Sequence, residues 1–370
     1  MGVTDTSGVS ARFPEFPWDT LAGAKQRAGE HPGGIVDLSI GTPVDPTPDV
    51  ARDALVAAAD APGYPTVLGP ESLRQAAVDW LERRFGITGL SASQVLPTVG
   101  SKELIANLPT QLGLGPDDLV VFPELAYPTY EVGARYARCQ VLAADSTVAI
   151  GPRRPALIYV NSPANPHGQI LGADHLRKVV EFARDCGALL VSDECYLEFA
   201  WEGEPVSVLH PDICGGTFDG LLAVHSLSKR SNLAGYRDAF VTGDPAVVAE
   251  LLAVRKHLGF MLPTPVQAAM TAALADDEHV TQQRERYASR RADLRAALTS
   301  AGFTVEHSEG ALYLWVTRGE PCRDTIAWLA ERGILAAPGD FYGPAGARHV
   351  RIAFTATDER VASAVQRLTA

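Results

Sequence analysis

Between about residue 95 and residue 243 the chain alternates short, uninterrupted apolar runs with segments of helical pattern. That alternation limits the fold more than any other feature. The runs are Leu119–Phe122, Ala156–Val160, Ala188–Ser192, Leu221–His225 and Ala239–Thr242. A strand with one wet face alternates apolar and polar residues, whereas a strand that is apolar throughout must be covered on both faces. Continuous apolar strands separated by helices therefore predict a mostly parallel central sheet between helical layers, an α/β fold.

The flanking segments read differently. Residues Glu71 to Phe85 predict a helix, with Leu73, Ala77, Trp80 and Leu81 on one face and Gly86 as its stop. Strand-like Ile35–Ile40 runs into the turn Gly41-Thr42-Pro43. In the last third, Glu285 to Thr299 predicts a long charged helix. Phe303–Glu306 and Leu312–Val316 predict strands, followed by a helix over Asp324–Arg332 and a strand around Val350–Phe354. This is an α+β pattern, and it predicts a smaller second unit. The break is expected near Arg255–Thr264, where Gly259, Pro263 and Pro265 interrupt the periodicity. The opening string Phe13-Pro-Glu-Phe-Pro-Trp18 predicts an extended arm on the body or on a partner subunit.

Composition narrows the function. A chain of 370 residues with 46% hydrophobic and 21% charged residues has material for a large core. The net charge of -12, with no cluster of lysines and arginines, argues against nucleic-acid or membrane-surface binding. No apolar stretch approaches the roughly 18 residues that span a bilayer. The five cysteines include no CxxC pair, so they read as reduced cytosolic thiols and not as disulfides or a zinc site. Met1-Gly2-Val3-Thr4-Asp5-Thr6 fits a short N-myristoylation pattern, but no basic patch follows to supply a second anchor. A free N-terminal tail is the expectation there.

Polar strings follow three of the apolar runs. Ala156–Val160 leads into Asn161-Ser-Pro-Ala-Asn165-Pro-His-Gly168, Ala188–Ser192 into Asp193-Glu-Cys-Tyr196, and Leu221–His225 into Ser226-Leu-Ser-Lys229. In a parallel sheet such loops emerge together at the carboxyl edge, where open α/β folds bind ligands. Each string alone is an ordinary turn or cap, and their order and spacing carry the inference. Lys229 has two hydroxyls just before it, Ser226 and Ser228, and Arg237 eight residues after it. That set suits an amine that attacks a carbonyl beside a bound phosphate. Pyridoxal phosphate presents both groups, and a lysine Schiff base is how proteins hold it.

From about residue 35 to the C-terminus the chain resembles the fold-type I pyridoxal-phosphate aminotransferases, class I/II. The resemblance implies an arm at 1–34, a large cofactor-binding domain at 45–255, and a small domain made of 35–44 and 256–370. It implies that Lys229 bonds the cofactor, that Asp193 pairs with the pyridinium nitrogen, and that Tyr196 and Asn165 bond the ring's phenolic oxygen. Tyr127 would stack on the ring. Gly100, Ser101 and Lys102, at a helix N-terminus, would bind the phosphate with Ser226, Ser228 and Arg237. Tyr64, in Gly63-Tyr-Pro-Thr66, matches a tyrosine that reaches the neighbouring subunit's phosphate, which implies a homodimer. Arg351, in His-Val-Arg351-Ile-Ala, matches the arginine that grips the substrate carboxylate, and Gly41 a close backbone approach to substrate. Lys229, Asp193 and Tyr196 form the expected catalytic set. Two departures stand out: Asp238 follows Arg237 where a small apolar residue is usual, and His167 replaces a commoner threonine. A histidine in such a turn is expected to be solvent-exposed.

The strings Phe16-Pro-Trp-Asp-Thr-Leu21, Ile40-Gly-Thr-Pro-Val-Asp-Pro46, Asp193-Glu-Cys-Tyr196 and Val254-Arg-Lys-His-Leu-Gly259 look like the actinobacterial succinyldiaminopimelate aminotransferases of lysine and cell-wall synthesis. These aminate N-succinyl-2-amino-6-oxopimelate with glutamate. The distal carboxylates of that substrate call for further cations, for which Lys102, Arg255, Lys256 and His257 are candidates. Aspartate, alanine or LL-diaminopimelate aminotransferases, or a C–S β-lyase, share every cofactor residue. A cofactor-binding regulator with an added DNA-binding domain is disfavoured by the absence of a basic segment. A dinucleotide oxidoreductase is disfavoured because no GxGxxG follows a predicted strand.

Overall fold

A two-residue strand, β1 (Val36–Asp37), precedes a seven-stranded sheet. The strands of the sheet are β2 (Val95–Thr98), β3 (Leu119–Phe122), β4 (Gln140–Ala143), β5 (Leu157–Asn161), β6 (Leu189–Asp193), β7 (Leu221–Ser226) and β8 (Ala239–Gly243). Their order across the sheet is β2-β8-β7-β6-β5-β3-β4. Only β8 runs antiparallel to its neighbours, so the mostly parallel sheet read from the apolar runs is present. Every residue of β5, β7 and β8 is buried, as two covered faces require. The computed structural model describes Phe13 and residues 15–370, and the acylation pattern at Met1–Thr6 lies outside them.

Two edge strands escaped the sequence reading. β2 is short and contains Pro97, which has no N–H to give to a ladder and fits only an edge. β4 is half exposed and lacks an apolar run. The stretch expected to be a strand over Ile35–Ile40 pairs regularly only at Val36 and Asp37, against Ile334 and Leu335 of the C-terminal part. Beyond Leu38 the Asp37 carboxylate takes both the Ser39 N–H (2.9 Å) and the Ser39 hydroxyl (2.6 Å), and the chain turns out of the ladder.

Helices cover the sheet. They include α1 (Asp49–Ala57), α2 (Glu71–Phe85), α3 (Ser101–Gln111), α4 (Thr129–Tyr136), α5 (Ala173–Cys186), α6 (Pro245–Leu258) and α7 (Thr264–Ala275). α2 ends as read from the sequence, with Gly86 in the left-handed region at φ 63°. The break expected near 255–264 is displaced. Leu262, Ala269, Met270, Ala273 and Leu274 pack in one core with Leu73, Ala77 and Leu81 of α2. After α7, residues of the second core resume in α8 (Glu278–Ser300), with Tyr287, Leu294, Ala297 and Leu298. Glycine and proline interrupt the helical pattern near 260, yet they only re-aim the chain onto the same core. α8 also starts earlier than the Glu285 of the sequence reading, because the Asp276 carboxylate accepts from the N–H groups of Glu278 and His279.

The C-terminal part holds β9 (Thr304–Glu306), β10 (Tyr313–Thr317), α9 (Cys322–Glu331), β11 (Ile334–Leu335), β12 (Ala337–Pro338), β13 (Val350–Ala353) and α10 (Asp358–Thr369). Four of these strands form a sheet in the order β12-β13-β10-β9. The N-terminal segment is less extended than expected. Pro17–Leu21 forms a tight helical turn, Ala22–Gly29 a helix, and Leu21 is buried in the second core. Among the described residues no helix is long and apolar enough to cross a membrane.

One ion cluster fastens the chain entering α1 to the second core. Arg290 of α8, only 3% exposed, bonds Asp45 through both terminal nitrogens (2.7 Å each) and Asp358 through Nε (2.6 Å). Burial pushes the Asp45 carboxyl up, but hydrogen bonds from Arg290 and Gln283 and the Arg290 charge outweigh it, holding the group below its ordinary value. A depressed carboxyl stabilises the fold above its unfolded pKa of about 3.9, and that stabilisation is lost as pH falls through the folded value. Arg290→Met should therefore lower the unfolding free energy at pH 7 by about 3 kcal/mol. The gap between wild type and Asp45→Asn should hold from pH 7 to about 5 and close below about 4. Urea unfolding between pH 7 and about 2 checks both, and a gap that does not shrink as pH falls below about 4 would refute the assignment.

Candidate active site

Three strand ends meet at one point. Asn161, last in β5, pairs in register with Asp193, last in β6, and Asp193 pairs with Val224 of β7. Asn161 then acts as a bracket. Its Nδ2 donates to the Asp193 carbonyl at 2.8 Å, and its Oδ1 accepts from the Asn165 N–H at 2.7 Å. The loop that carries Asn165 is thereby tied to the strand that carries Asp193. The Asp193 carboxylate is buried, with Oδ2 accepting from the Tyr130 hydroxyl (2.7 Å) and Oδ1 from the Cys195 N–H (3.2 Å). Burial pushes its pKa up, and those two hydrogen bonds pull against the shift.

Lys229 sits on a single helical turn, Leu227–Arg230, whose first N–H groups are capped by the Ser226 hydroxyl. Its Nζ donates to the carbonyl of Gly41. Burial pushes the ammonium below the ordinary lysine value. Gly41 has no room for a side chain, since a Cβ would overlap the ring of Tyr313. The Tyr313 hydroxyl in turn meets that of Tyr196 at 2.8 Å.

Arg351 lies on β13 opposite Trp315 and is 3% exposed. One terminal nitrogen donates to Asn165 Oδ1 and the other to the Ser39 carbonyl, both at 2.7 Å. The rings of Tyr313 and Tyr342 flank the guanidinium, with centroids at 4.0 and 5.0 Å. Its Nε finds no partner among the described residues. The backbone from Ser39 to Gly41 therefore runs between a guanidinium and an amine.

A third cluster completes the crevice. Gly100, at φ 84°, precedes α3, and a Cβ there would overlap the guanidinium of Arg237. Arg237 is itself left-handed (φ 59°) and donates to the Ala234 carbonyl at 2.7 Å. The arginine thus faces the free N–H groups at the start of α3, beside buried Ser226 and Ser228. The Lys102 side chain is exposed and reaches toward the Phe16 ring, so Lys102 brings only its N–H to this cluster. Tyr127 lies by Tyr130 with its hydroxyl pushed up to about 12 by burial. Tyr64 stands apart, 99% exposed in the loop between α1 and α2.

Several readings change. Arg255, a candidate for a distal carboxylate, is fully buried and committed to Glu103 (2.7 and 3.0 Å) and Gln111 (3.2 Å), where it joins α6 to α3. Lys256 and His257 lie exposed on the following residues of α6. His167 is 8% exposed and not solvated. Its carbonyl accepts from Ser308 N–H, which folds the turn against the second core. Asp238 is fully buried, its carboxylate has no hydrogen-bond partner among the described residues, and burial pushes it up to about 7. Tyr130, Tyr313 and Tyr342 went unread, and Asn161 was read only as the head of a polar string, without a role of its own. Only Tyr130 carried a signal, in its spacing of three from Tyr127 at a helix start. The others sit in strands and turns that read as plain core.

Residues 34–368 match the family model of class I and II aminotransferases. The chain is 67% identical to a probable aminotransferase, Rv1178, of Mycobacterium tuberculosis, over 98% of this chain and 87% of that protein. It is 59% identical to the 4-dedimethylamino-4-oxo-anhydrotetracycline transaminase OxyQ of Streptomyces rimosus, over 96% and 99%. In structure it is similar to a probable N-succinyldiaminopimelate aminotransferase from Thermus thermophilus, with TM-score 0.86 and 29% identity over 96% and 99%.

The environment of Lys229 makes a test of its own. In the cofactor-free protein its amine should methylate reductively with a pH midpoint below the ordinary lysine value of about 10.4, because burial disfavours the charged form. Reactivity should rise with pH and fall as the ammonium forms. Peptide mapping across a pH series reads it, and a midpoint at or above about 10.4 would overturn the assignment.

Proposed function

The chain belongs to the class I and II aminotransferases, and we propose that it transfers the amino group of glutamate to N-succinyl-2-amino-6-oxopimelate. One observation carries the amino-acid part of this reading: the Ser39–Gly41 backbone holds the Lys229 amine at one end and the Arg351 guanidinium at the other. An α-amino acid presents its carboxylate and its reacting α-carbon in just such proximity. The succinylated acceptor is supported by the similarity to the Thermus protein and by the four strings read from the sequence.

The family uses pyridoxal phosphate, and the residues present fit it. The bare Cα of Gly100 under the Arg237 guanidinium, at a helix N-terminus, leaves a cradle for a phosphate that any Cβ would fill. In our reading Gly100, Ser101 and Lys102 N–H groups, Ser226, Ser228 and Arg237 hold the phosphate. Tyr127 would cover the ring, Asp193 would pair with its nitrogen, and Tyr196 and Asn165 would bond its phenolic oxygen. When bound, the cofactor supplies an aldehyde that condenses with amines and a ring that takes up the electrons of a Cα–H bond.

The chain's own groups do the rest. Arg351 binds the α-carboxylate as a fork and so fixes which bond at Cα faces the lysine. Its ties to Asn165 and Ser39 hold the guanidinium in place before substrate arrives. Lys229 Nζ, whose charged form burial disfavours, takes the α-proton and returns it on the other side of the transfer. Asp193, buried and bonded by Tyr130 and Cys195, would hold a proton on the ring nitrogen of the bound cofactor. Gly41 lets the backbone approach the substrate. The amino group leaves glutamate in one half-reaction and reaches the acceptor in the other, a ping-pong scheme.

We further propose a cytoplasmic homodimer in which the exposed Tyr64 reaches the neighbouring subunit's phosphate. The five cysteines, all free, suit a reducing compartment. The relation to OxyQ favours a second reading, in which the acceptor is a polycyclic ketone without a carboxylate. A panel of acceptors with glutamate as donor separates them. Turnover should be highest with N-succinyl-2-amino-6-oxopimelate and lower with oxaloacetate, pyruvate and a 4-oxo polycyclic ketone, whereas highest turnover with that ketone would favour the second reading. Release of pyruvate and ammonia from cystathionine would reveal a β-lyase instead. The shared site has its own test. Lys229→Ala and Tyr64→Ala homodimers should each be impaired, and subunit exchange between them should restore activity through one intact site per mixed dimer. No recovery after verified exchange would place Tyr64 outside the neighbour's site.

A further inference from the structure

The turn that carries Lys229 is held from outside the active site. Leu227–Arg230 is closed at its end by the Ser231 N–H, which donates to the Leu227 carbonyl at 3.0 Å. Ser231 is fully buried, and its hydroxyl meets Nε2 of His279 at 2.8 Å. His279 lies in the first turn of α8, and its Nδ1 meets Asp276 Oδ2 at 2.6 Å. Donor chemistry fixes the direction of this chain. An ionised carboxylate only accepts, so Nδ1 carries the imidazole proton and Nε2 offers a lone pair to the serine O–H. Arg230 Nη1 donates to the same Ser231 oxygen at 3.1 Å, which leaves the serine proton for His279. Burial pushes the His279 ring below its ordinary value, which favours this neutral form near pH 7. One turn on, Asn232 Nδ2 donates to Gln283 Oε1 at 3.0 Å, and Gln283 Nε2 donates to Asp45 Oδ2 at 2.7 Å. Residues 279 and 283 share a face of α8, so one helix face grips the two residues that follow the lysine turn.

Only Asp276 and Asp277 separate α7, which packs in the first core, from α8, which packs in the second. The residues where the chain crosses between the cores therefore also hold the Lys229 turn. We propose that His279 is a positioning residue for Lys229, acting through Ser231 to keep the lysine turn seated in its buried setting. A plain helix cap accounts for the bonds from Asp276 to the N–H groups of Glu278 and His279, but not for the bond between imidazole and serine. Loss of that bond should loosen the turn and let water reach the amine, which lessens the penalty on its charged form.

The inference rests on Lys229 as the reacting amine, and its test reads that amine directly. Reductive methylation of Lys229 across a pH series is compared between full-length, cofactor-free wild type and its variants. His279→Leu and Ser231→Ala should each raise the midpoint by roughly half a pH unit or more, toward the ordinary value of about 10.4. The double variant should shift it no further, since both changes remove one bond. His279→Gln keeps an acceptor for the Ser231 hydroxyl and should return the midpoint to that of wild type. Tyr313, Arg351, Cys195 and Arg237, whose charges act on the lysine, are left in place by every variant. In the cofactor-loaded enzyme His279→Leu should lower kcat roughly fivefold or more, with KM for the amino donor within about twofold, because Arg351 is untouched. A depressed wild-type midpoint that stays unmoved in Ser231→Ala and in whichever His279 variants fold overturns the inference alone. So does a glutamine variant that shifts as far as the leucine one. An undepressed wild-type midpoint overturns the role of Lys229 itself, and the inference with it.

Discussion

The Arg351 guanidinium is the interaction on which the site depends. It is a buried charge with no carboxylate beside it among the described residues. Its two terminal nitrogens are spent on Asn165, from the loop after β5, and on Ser39, from the segment that leaves the ladder after Asp37. One side chain of the second core thus fastens two stretches of backbone at the mouth of the first sheet. A buried charge without a counter-ion is costly, and here two carbonyl-type oxygens and two tyrosine faces reduce that cost without removing it. What remains uncompensated is the attraction for an anion. The same side chain is therefore a clasp between the cores, and in the function proposed here it would also seat the substrate carboxylate.

Burial governs the titrating groups around it. Lys229 is pushed down and Asp193 up by the same cause, the loss of water. The two shifts favour a less charged amine and a more basic carboxyl in one crevice. Asp238 extends the pattern. Pushed up to about 7, it is largely neutral at mildly acidic pH and so does little there to weaken the positive field of the adjacent Arg237. Asn161 adds the geometric part. By bonding both Asp193 and Asn165 it converts the register of two strands into the relative position of the two cores' polar groups.

Much of this architecture was legible in the chain, for reasons that differ by residue. The five apolar runs betrayed a doubly covered sheet because a buried parallel strand has no polar face to alternate with. Strings after three of those runs could be placed at one edge because parallel strands all end on the same side, and the structure brings Asn165, Asp193 and Lys229 together there. β2 and β4 were not legible, since an edge strand needs neither a continuous apolar run nor a full set of N–H donors. Arg255 was misread because a lone basic residue near a helix end looks the same whether it faces solvent, substrate or, as here, Glu103 on another helix.

What the sequence determined by itself was local and periodic: the sheet class, the order of its polar loops, the lysine with its hydroxyls and arginine. These depend on patterns within a few residues or on the direction of neighbouring strands. What only the tertiary structure decided was long-range. The break between the cores moved past Ala275 because helix α7 packs on α2, a choice made by complementary faces far apart in the chain. Tyr130 was set on Asp193, Tyr313 on Tyr196 and Gly41, and His167 was turned from solvent into the interior. Burial and partnership are properties of what lies across a space, and a linear string does not say what will face it.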